Sequence, residues 1–171
     1  MFLVDADTPG MRIVRDIETL DEGLYAGHSE IVFEDCFVAD EQILGEVDRG
    51  FDYAQVRLAP ARLAHCMRWL VLARRAQDIA LDRTTQRHAF GKPLAELGMV
   101  QQHLADSEID IAASRALIRQ TAEVLDRGES GAQESSIAKT FVAEAVNRVV
   151  DRAVQVTGSR SPPLAVAAVA E

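Results

Sequence analysis

Arginine is the residue type in this sequence that is best equipped to bind an anion. Of the 18 basic residues, only Lys92 and Lys139 are lysines, so the rest are arginines. A guanidinium group is planar and donates two parallel hydrogen bonds to one phosphate or carboxylate, whereas a lysine ammonium acts as a point charge. The formal net charge of the chain is −9. We therefore expect any phosphate site to be local and to lie within an acidic surface.

The histidines and cysteines do not indicate a metal site or thiol chemistry. The 4 histidines lack the spacing of metal ligands, and no cysteine pair supports them. Cys66 directly follows His65, but adjacent residues on a helix point about 100° apart and do not face each other. Cys36 and Cys66 are isolated thiols, which fits a reducing compartment without a disulfide framework. No metal cofactor is predicted.

The charge and the apolar runs exclude two further classes of partner. A duplex-binding protein needs a basic stripe for the phosphates, and the net charge of −9 argues against it. No apolar run approaches the roughly 20 residues of a membrane span. The N-terminus lacks a basic region and carries Asp5 and Asp7, so it does not resemble a signal peptide. We expect a cytoplasmic protein, or a mitochondrial matrix protein if the source is a eukaryote.

After Gly50 the apolar residues recur every three or four positions, which predicts helices. The first helix is predicted to reach about residue 86, and Pro60 predicts a kink or a start nearby. The second ends where Gly128 suits the C′ position, and the third runs from about Gln133–Val156 and stops at Gly158. The predicted apolar stripes are Phe51, Ala54, Leu58, Ala61, Ala64, Met67, Val71 and Ile79; Leu97, Val100, Leu104, Ile111, Ile118 and Leu125; and Ile137, Phe141, Ala145, Val149 and Ala153.

The first 48 residues have a different pattern. Met11–Val14 and Ser29–Val38 are predicted strands, and Asp7–Gly10 is a predicted turn with Gly10 in the left-handed position. Residues 21–27 are predicted as a loop, and the tail at 159–171 as no more than one short helical turn. The predicted fold class is mainly α: an antiparallel bundle of three long helices, preceded by a short β region.

Five motifs, in this order along the chain, resemble the acyl-CoA dehydrogenase family. Ile31–Val38 is similar to the strand that closes the family's β domain. Asp48–Phe51 resembles the start of its C-terminal helical domain. Thr84–Leu94 resembles the R-x-x-F-G segment that joins the first two helices of that domain. Ser136–Lys139 and Ala153–Gly158 are similar to the third helix and its A-x-Q-x-x-G end.

The resemblance implies a domain organisation and an activity. Residues 1–48 would be the C-terminal part of an incomplete β-barrel domain, residues 49–158 an incomplete helical bundle domain, and residues 159–171 a divergent tail. The implied activity is the FAD-dependent oxidation of an acyl-CoA to its trans-2-enoyl-CoA, a reaction of fatty acid metabolism. The implied partners are further copies in a dimer or tetramer, formed through the helical domain, and electron-transfer flavoprotein or a similar acceptor.

The resemblance also assigns candidate binding residues. Arg87 resembles the arginine that reaches the FAD pyrophosphate of the neighbouring subunit, and Phe90 a ring beside the adenine half of FAD. Gln155 resembles a glutamine that binds the adenosine or pyrophosphate part, in the motif that Gly158 closes. Arg62 resembles the arginine near the phosphate and adenine of CoA.

Each assignment has a purely structural alternative. Arg87 would be a helix-end charge that complements the helix dipole. Phe90 would be an apolar staple that closes the corner between two helices. Gln155 would be a simple helix-end polar residue, and Arg62 a surface partner for nearby carboxylates.

Two departures from the family put catalysis in doubt. Gly98 stands where the family usually has a glutamine that contacts FAD, and Ala61 stands at the alternative position of the base. The usual glutamate base is expected beyond the last residue, so we assign no catalytic residue and expect a truncated chain that is inactive by itself. A non-catalytic helical oligomerisation module that pairs with a full-length family member is one alternative. A generic acidic three-helix scaffold with a β-hairpin arm is another.

Overall fold

Three long α-helices make up most of the chain, as the sequence predicts. In this computed structural model the elements are β1 (Met11–Ile17), β2 (His28–Phe33), α1 (Gly50–Gln86), β3 (His88–Ala89), β4 (Lys92–Pro93), α2 (Gly98–Asp126) and α3 (Ala132–Thr157). β1 pairs with β2 and β3 pairs with β4, both antiparallel. The predicted fold class, mainly α with a short β region before the helices, is therefore confirmed.

The structure describes residues 1–18 and 28–158. By their contacts they form two compact units, Met1–Ala54 and a second that begins at Gln55. The loop predicted at 21–27 and the tail predicted at 159–171 lie outside the described residues. None of the described residues before Gly50 is buried, so the β1–β2 ribbon has no core of its own.

The β1–β2 ribbon begins at the predicted turn. Gly10 has a φ of +89°, and a Cβ there would lie 2.9 Å from the Cα of Cys36, so the predicted left-handed glycine is confirmed. The prediction that the second strand reaches Val38 is wrong. After the Glu34 N–H donates to the Gly10 carbonyl at 2.8 Å, Asp35 has a φ of +48° and the extended conformation ends.

The three helices form an up-down-up bundle around a core of small side chains. At one end Ala76 and Ala80 of α1 pack with Ala153 of α3, and Leu104 of α2 lies against them. Two further clusters continue the core along the bundle: Ala73, Ile111 and Val149, then Leu63, Cys66, Ile118, Ala138 and Val142. Residue numbers fall along α2 where they rise along α1 and α3, so the predicted antiparallel arrangement is confirmed.

Small buried hydroxyls also line the core, and no fully buried hydroxyl oxygen of the described residues is left without a hydrogen-bond partner. The Ser114 Oγ donates to the Asp110 carbonyl at 2.7 Å, and the Thr84 Oγ1 donates to the Ala80 carbonyl at 2.8 Å. Each bond reaches back one turn within the same helix, so a polar side chain is buried at little cost.

The apolar stripe predicted for α1 is largely wrong. Phe51, Met67 and Val71 are exposed, and the buried face instead carries Ala59, Leu63, Cys66, Ala73, Ala76, Gln77, Ala80 and Thr84. The prediction followed the spacing of the large apolar residues of α1. In the structure most of the residues that α1 buries against the neighbouring helices are small. A helix start near Pro60 is also wrong, because α1 begins at Gly50 and continues through Pro60. In α3, Ala145, Val149 and Ala153 are buried as predicted, whereas Ile137 is exposed.

The predicted glycine at the end of α2 gives a direct test of backbone conformation. Gly128 has a φ of +77°, its N–H donates to the Leu125 carbonyl at 2.9 Å, and a Cβ would meet nothing within 4 Å. Gly128→Ala is expected to lower the free energy of unfolding by about 1 kcal/mol, because only the left-handed conformation opposes the new side chain.

Gly98→Ala is the matched control, since this glycine is the first residue of α2 and a Cβ there also meets nothing within 4 Å. Alanine favours a helix, so this change is expected to leave stability unchanged or to raise it slightly. Urea denaturation followed by circular dichroism checks both, and equal shifts for the two variants would contradict the conformational explanation.

Candidate functional site

The link between α1 and α2 presents an aromatic ring on a tight turn. Phe90 and Gly91 form the two-residue turn between β3 and β4, with φ values of +54° and +81°. Positive φ at both positions is the geometry that two-residue hairpins prefer, but it costs a non-glycine residue about 1 kcal/mol. The Phe90 side chain is 89% exposed, so the alternative that it staples the corner between the helices is wrong.

Arg87 is fixed by its backbone between the helix and this hairpin. Its N–H donates to the Arg83 carbonyl at 3.0 Å, and its own carbonyl accepts from the Leu94 N–H at 2.8 Å. Its side chain is exposed and makes no ion pair with any described residue. One turn earlier, the Arg83 Nε is buried and has no hydrogen-bond partner in the described parts of the chain.

Gln155 and Gly158 lie at the same end of the bundle as this hairpin. Gln155 is exposed in the last turn of α3, and Gly158 caps the helix with a φ of +68° and an N–H that donates to the Val154 carbonyl. Because Ala153 packs against Ala80, the last turns of α3 and α1 are neighbours. Arg87, Phe90, Gln155 and Gly158 therefore lie at the same end of the bundle, which we call the hairpin end.

Arg62 lies far from the hairpin end. It is half-buried on α1, next to Leu63, which packs with Ile118 and Ala138 in the cluster farthest from Ala80. At a rise of 1.5 Å per residue, Arg62 and Arg87 are separated by about 37 Å along the helix. Arg62 makes no ion pair with a carboxylate among residues 1–18 and 28–158, so its structural alternative gains no support.

A partly buried charge cluster joins α2 to α3, and the spacing of the sequence does not predict it. Asp110 accepts hydrogen bonds from the Nε and Nη2 of Arg148 at 3.1 and 2.7 Å and from the Nη1 of Arg152 at 2.7 Å. The hydrogen bonds from Arg148 are the main reason that the pKa of Asp110 is lowered, and they outweigh the effect of burial. The same hydrogen bond raises the pKa of Arg148. The Arg148 guanidinium also lies 5.9 Å from the centre of the Phe141 ring.

Neither a metal site nor a membrane-spanning helix is present in the described residues. Among residues 1–18 and 28–158, no group of three histidine, cysteine or acidic side chains has the geometry to hold a metal ion. In the same residues no helix is both long enough and apolar enough to cross a bilayer.

Burial raises the pKa of the Cys66 thiol, and Lys139 partly offsets that rise.

Sequence comparison identifies the helical region of the chain. Residues 48–163 match the family model described as acyl-CoA dehydrogenase, C-terminal domain. The matched region contains α1, α2, α3 and the hairpin link, which together form the fold described above. The chain belongs to the acyl-CoA dehydrogenase family.

Individual relatives agree in sequence and in fold. The chain is 39% identical over 161 residues to the probable acyl-CoA dehydrogenase FadE2 of Mycobacterium tuberculosis, covering 93% of this chain and 40% of that protein. Butyryl-CoA dehydrogenase from Megasphaera elsdenii matches with a TM-score of 0.83 at 30% identity, over 96% of this chain and 44% of that one. A structure of PigA with FAD and proline matches with a TM-score of 0.85 at 21% identity, over 98% of this chain and 44% of that one. At this identity the match shows only a similar fold. The chain spans between 15% and 40% of the length of the curated relatives it matches.

Proposed function

We propose that this chain forms part of an FAD-dependent acyl-CoA dehydrogenase, which oxidises an acyl-CoA to its trans-2-enoyl-CoA. Residues 1–48 would be the end of its β domain, residues 49–158 its helical domain and residues 159–171 a divergent tail. The observation that supports the proposal most directly is the hairpin end. There the exposed Phe90 ring lies on a strained turn three residues after Arg87, whose exposed side chain has no carboxylate partner in the described residues.

The hairpin end fits the adenosine diphosphate half of FAD. The Arg87 side chain is exposed and pairs with no carboxylate of the described residues, so its guanidinium can donate two hydrogen bonds to one phosphate group. The backbone at Gly91 is open, because a Cβ there would meet nothing within 4 Å. The exposed Phe90 ring offers an apolar face on which an adenine can stack.

The chain's own residues would bind and orient the cofactor. Arg87 would hold the diphosphate, Phe90 the adenine and Gln155 the adenosine part, with Gly158 ending α3 where the ligand passes. When bound, FAD supplies the acceptor for the hydride that leaves the β-carbon of the substrate. Arg62 would bind the phosphate and adenine of CoA. Because it lies about 37 Å from Arg87 along α1, the two arginines would serve different active sites of a dimer or tetramer.

Other parts of the reaction are proposed to come from outside these residues. We assign no base in this chain for removal of the α-proton, which needs a positioned carboxylate. The base and the contacts to the flavin ring would be supplied by regions that correspond to the remaining length of its relatives. Electron-transfer flavoprotein or a similar carrier would reoxidise the flavin. A cytoplasmic or mitochondrial matrix location is part of the same proposal.

Arg87→Ala is expected to weaken FAD binding by about 10- to 100-fold, because a charge-assisted hydrogen bond to phosphate is worth roughly 1.5 to 3 kcal/mol. Arg87→Lys is expected to recover only part of the affinity, since an ammonium cannot reproduce the two-pronged contact. Titration of FAD with the 171-residue chain, followed by flavin fluorescence anisotropy, measures all three affinities. Melting temperatures of the variants are expected to match that of the wild type.

Arg119→Ala is the matched control, because Arg119 is an exposed arginine of α2 beside Ile118, at the opposite end of the bundle. It removes the same charge and is expected to leave FAD affinity unchanged. If Arg87→Ala and Arg119→Ala lower FAD affinity equally, the loss reflects the total charge of the chain and not a specific contact of Arg87. A wild-type chain that binds no FAD but co-purifies with a full-length family member would instead favour the non-catalytic oligomerisation module.

A further inference from the structure

The last buried residues of α1 and α3 at the hairpin end are both threonines. Thr84 and Thr157 are buried, and each follows by four residues one of the two alanines, Ala80 and Ala153, that pack against each other. Because α1 and α3 run in the same direction, the two threonines occupy equivalent positions one turn beyond that contact. A valine has a methyl group in place of the hydroxyl, and burying a methyl does not incur the cost of burying a hydroxyl. Filling the core therefore does not explain why both positions carry a hydroxyl.

Each of these two hydroxyls bonds two backbone carbonyls of its own helix. The Thr84 Oγ1 donates to the carbonyls of Ala80 and Leu81 at 2.8 and 3.0 Å, and the Thr157 Oγ1 makes the equivalent two bonds in α3 at 2.7 and 3.2 Å. A hydroxyl has one hydrogen, so the carbonyls three and four residues earlier share it. Back-bonding of this kind draws the carbonyls toward the side chain and bends the helix. Thr84 therefore influences the direction of the last turn of α1.

The direction of that turn determines where the Arg87 backbone lies. Arg87 follows Thr84 by three residues, and its N–H continues the helical hydrogen bonding by donating to the Arg83 carbonyl at 3.0 Å. Its carbonyl accepts from the Leu94 N–H at 2.8 Å, so this backbone is held between the end of α1 and the hairpin. The Arg87 side chain is exposed, and no ion pair within the described residues orients it. The region that its guanidinium can reach therefore depends on the backbone that carries it.

We propose that Thr84 is a positioning residue of the hairpin end, which acts on a bound ligand through Arg87 and does not touch the ligand. Its hydroxyl sets the bend of the last turn of α1, and that bend places the Arg87 guanidinium relative to the end of α3, where Thr157 fixes the last turn in the same way. The inference rests on the proposed function, and it assigns a role in ligand binding to a residue that has no exposed surface.

Two substitutions separate the hydroxyl of Thr84 from its shape. Thr84→Val removes the hydroxyl and keeps the branched side chain, whereas Thr84→Ser keeps the hydroxyl and removes a methyl group. Thr121→Val is the matched control, because Thr121 is a buried threonine of α2 near the opposite end of the bundle, and its Oγ1 donates to the Leu117 carbonyl at 2.9 Å.

Flavin fluorescence anisotropy during titration of FAD with the 171-residue chain measures the affinities. Thr84→Val is expected to weaken FAD binding about tenfold, because a displaced guanidinium loses part of its contact with the ligand. Thr84→Ser and Thr121→Val are expected to keep the affinity of the wild type. The melting temperatures of the two valine variants are expected to shift by similar amounts, since each variant loses one buried hydroxyl from a helix.

A double-mutant cycle with Arg87→Ala tests whether Thr84 acts through Arg87. In the Arg87→Ala background, Thr84→Val is expected to cause no further loss of FAD affinity. The same additional loss with and without the arginine would overturn the inference. A Thr84→Ser variant that binds FAD as weakly as Thr84→Val would also overturn it, because the hydroxyl would then not be the group that matters.

The failure of this inference is distinguishable from the failure of the proposed function. A wild-type chain that binds no FAD would overturn both. A loss of affinity in Arg87→Ala with none in Thr84→Val would overturn the role of Thr84 and leave the FAD proposal standing. A Thr84→Val variant that does not fold, or that melts far below Thr121→Val, would assign Thr84 to the stability of the helix end instead.

Discussion

Replacing Asp110 by asparagine is expected to lower the free energy of unfolding of the helical bundle by about 3 kcal/mol, the lower end of the range for breaking a buried ion pair. The Asp110 side chain is only 12% exposed and accepts three hydrogen bonds from Arg148 and Arg152. An amide carries no charge, so the guanidinium groups of Arg148 and Arg152 lose their counterion. The lower end applies because the Arg148 side chain is 44% exposed and can be rehydrated. Urea denaturation followed by circular dichroism measures the change.

Glu108→Gln is the matched control for Asp110→Asn. Glu108 lies two residues earlier on α2 and also accepts two hydrogen bonds from an arginine of another helix, Arg74, at 2.9 and 3.0 Å. Its side chain is 52% exposed, so water screens the pair and the change is expected to cost less than about 1 kcal/mol. Equal losses in the two variants would show that burial does not determine the strength of these pairs.

Because the pKa of Asp110 is lowered, the stabilisation that its ion pairs provide depends on pH. An unfolded aspartate has a pKa of about 3.9, so between that value and the lower folded pKa the unfolded state binds more protons than the folded state. The stabilisation is therefore complete well above pH 3.9 and is lost as the pH falls through the folded pKa. The difference between wild type and Asp110→Asn is expected to be full at pH 7 and to shrink in acid. A difference that grows toward low pH would contradict the ion-pair explanation.

The sequence predicts where the helices end better than it predicts which of their residues are buried. Gly128 and Gly158 mark the ends of α2 and α3, because a left-handed residue ends a helix whatever surrounds it. The buried face of α1 depends instead on its neighbours. Met67 and Val71 are apolar but exposed, whereas Cys66 and Ala73 are buried because they lie on the side of α1 that packs against α2 and α3. That information lies in the other two helices and is not visible in the period of α1 alone.

The sequence predicts only those residues of the candidate site that lie in a local motif. Arg87 and Phe90 lie in one short segment, and the resemblance to a known family names them. The burial of the Arg83 Nε, four residues earlier, depends on packing and is not visible in the spacing of the sequence. The Asp110 cluster joins residues 38 and 42 positions apart, and that pairing follows from the register of α2 against α3. Side-chain contacts across helices require the packed structure, which a periodicity does not supply.

Ile111→Ala is expected to lower the free energy of unfolding by about 3 kcal/mol. Ile111 is 1% exposed and packs with Ala73 and Val149 in the middle of the bundle, where Leu70 and Val146 complete its surroundings. Removing three carbon atoms loses their transfer free energy and leaves a cavity. An alanine neighbour is already as small as a helix residue with a side chain can be, so it cannot move a longer side chain into that space.

Ile109→Ala separates this burial effect from helix propensity. Ile109 lies on the same helix, two residues earlier, and its side chain is 65% exposed. Both substitutions replace a β-branched residue by the best helix former, so the gain from propensity is the same in each. Ile109→Ala is therefore expected to change stability by less than about 0.5 kcal/mol or to raise it slightly. Thermal and urea denaturation of both variants test the prediction. A small loss in Ile111→Ala, similar to that in Ile109→Ala, would mean that α1, α2 and α3 do not enclose the middle cluster as the structure has it.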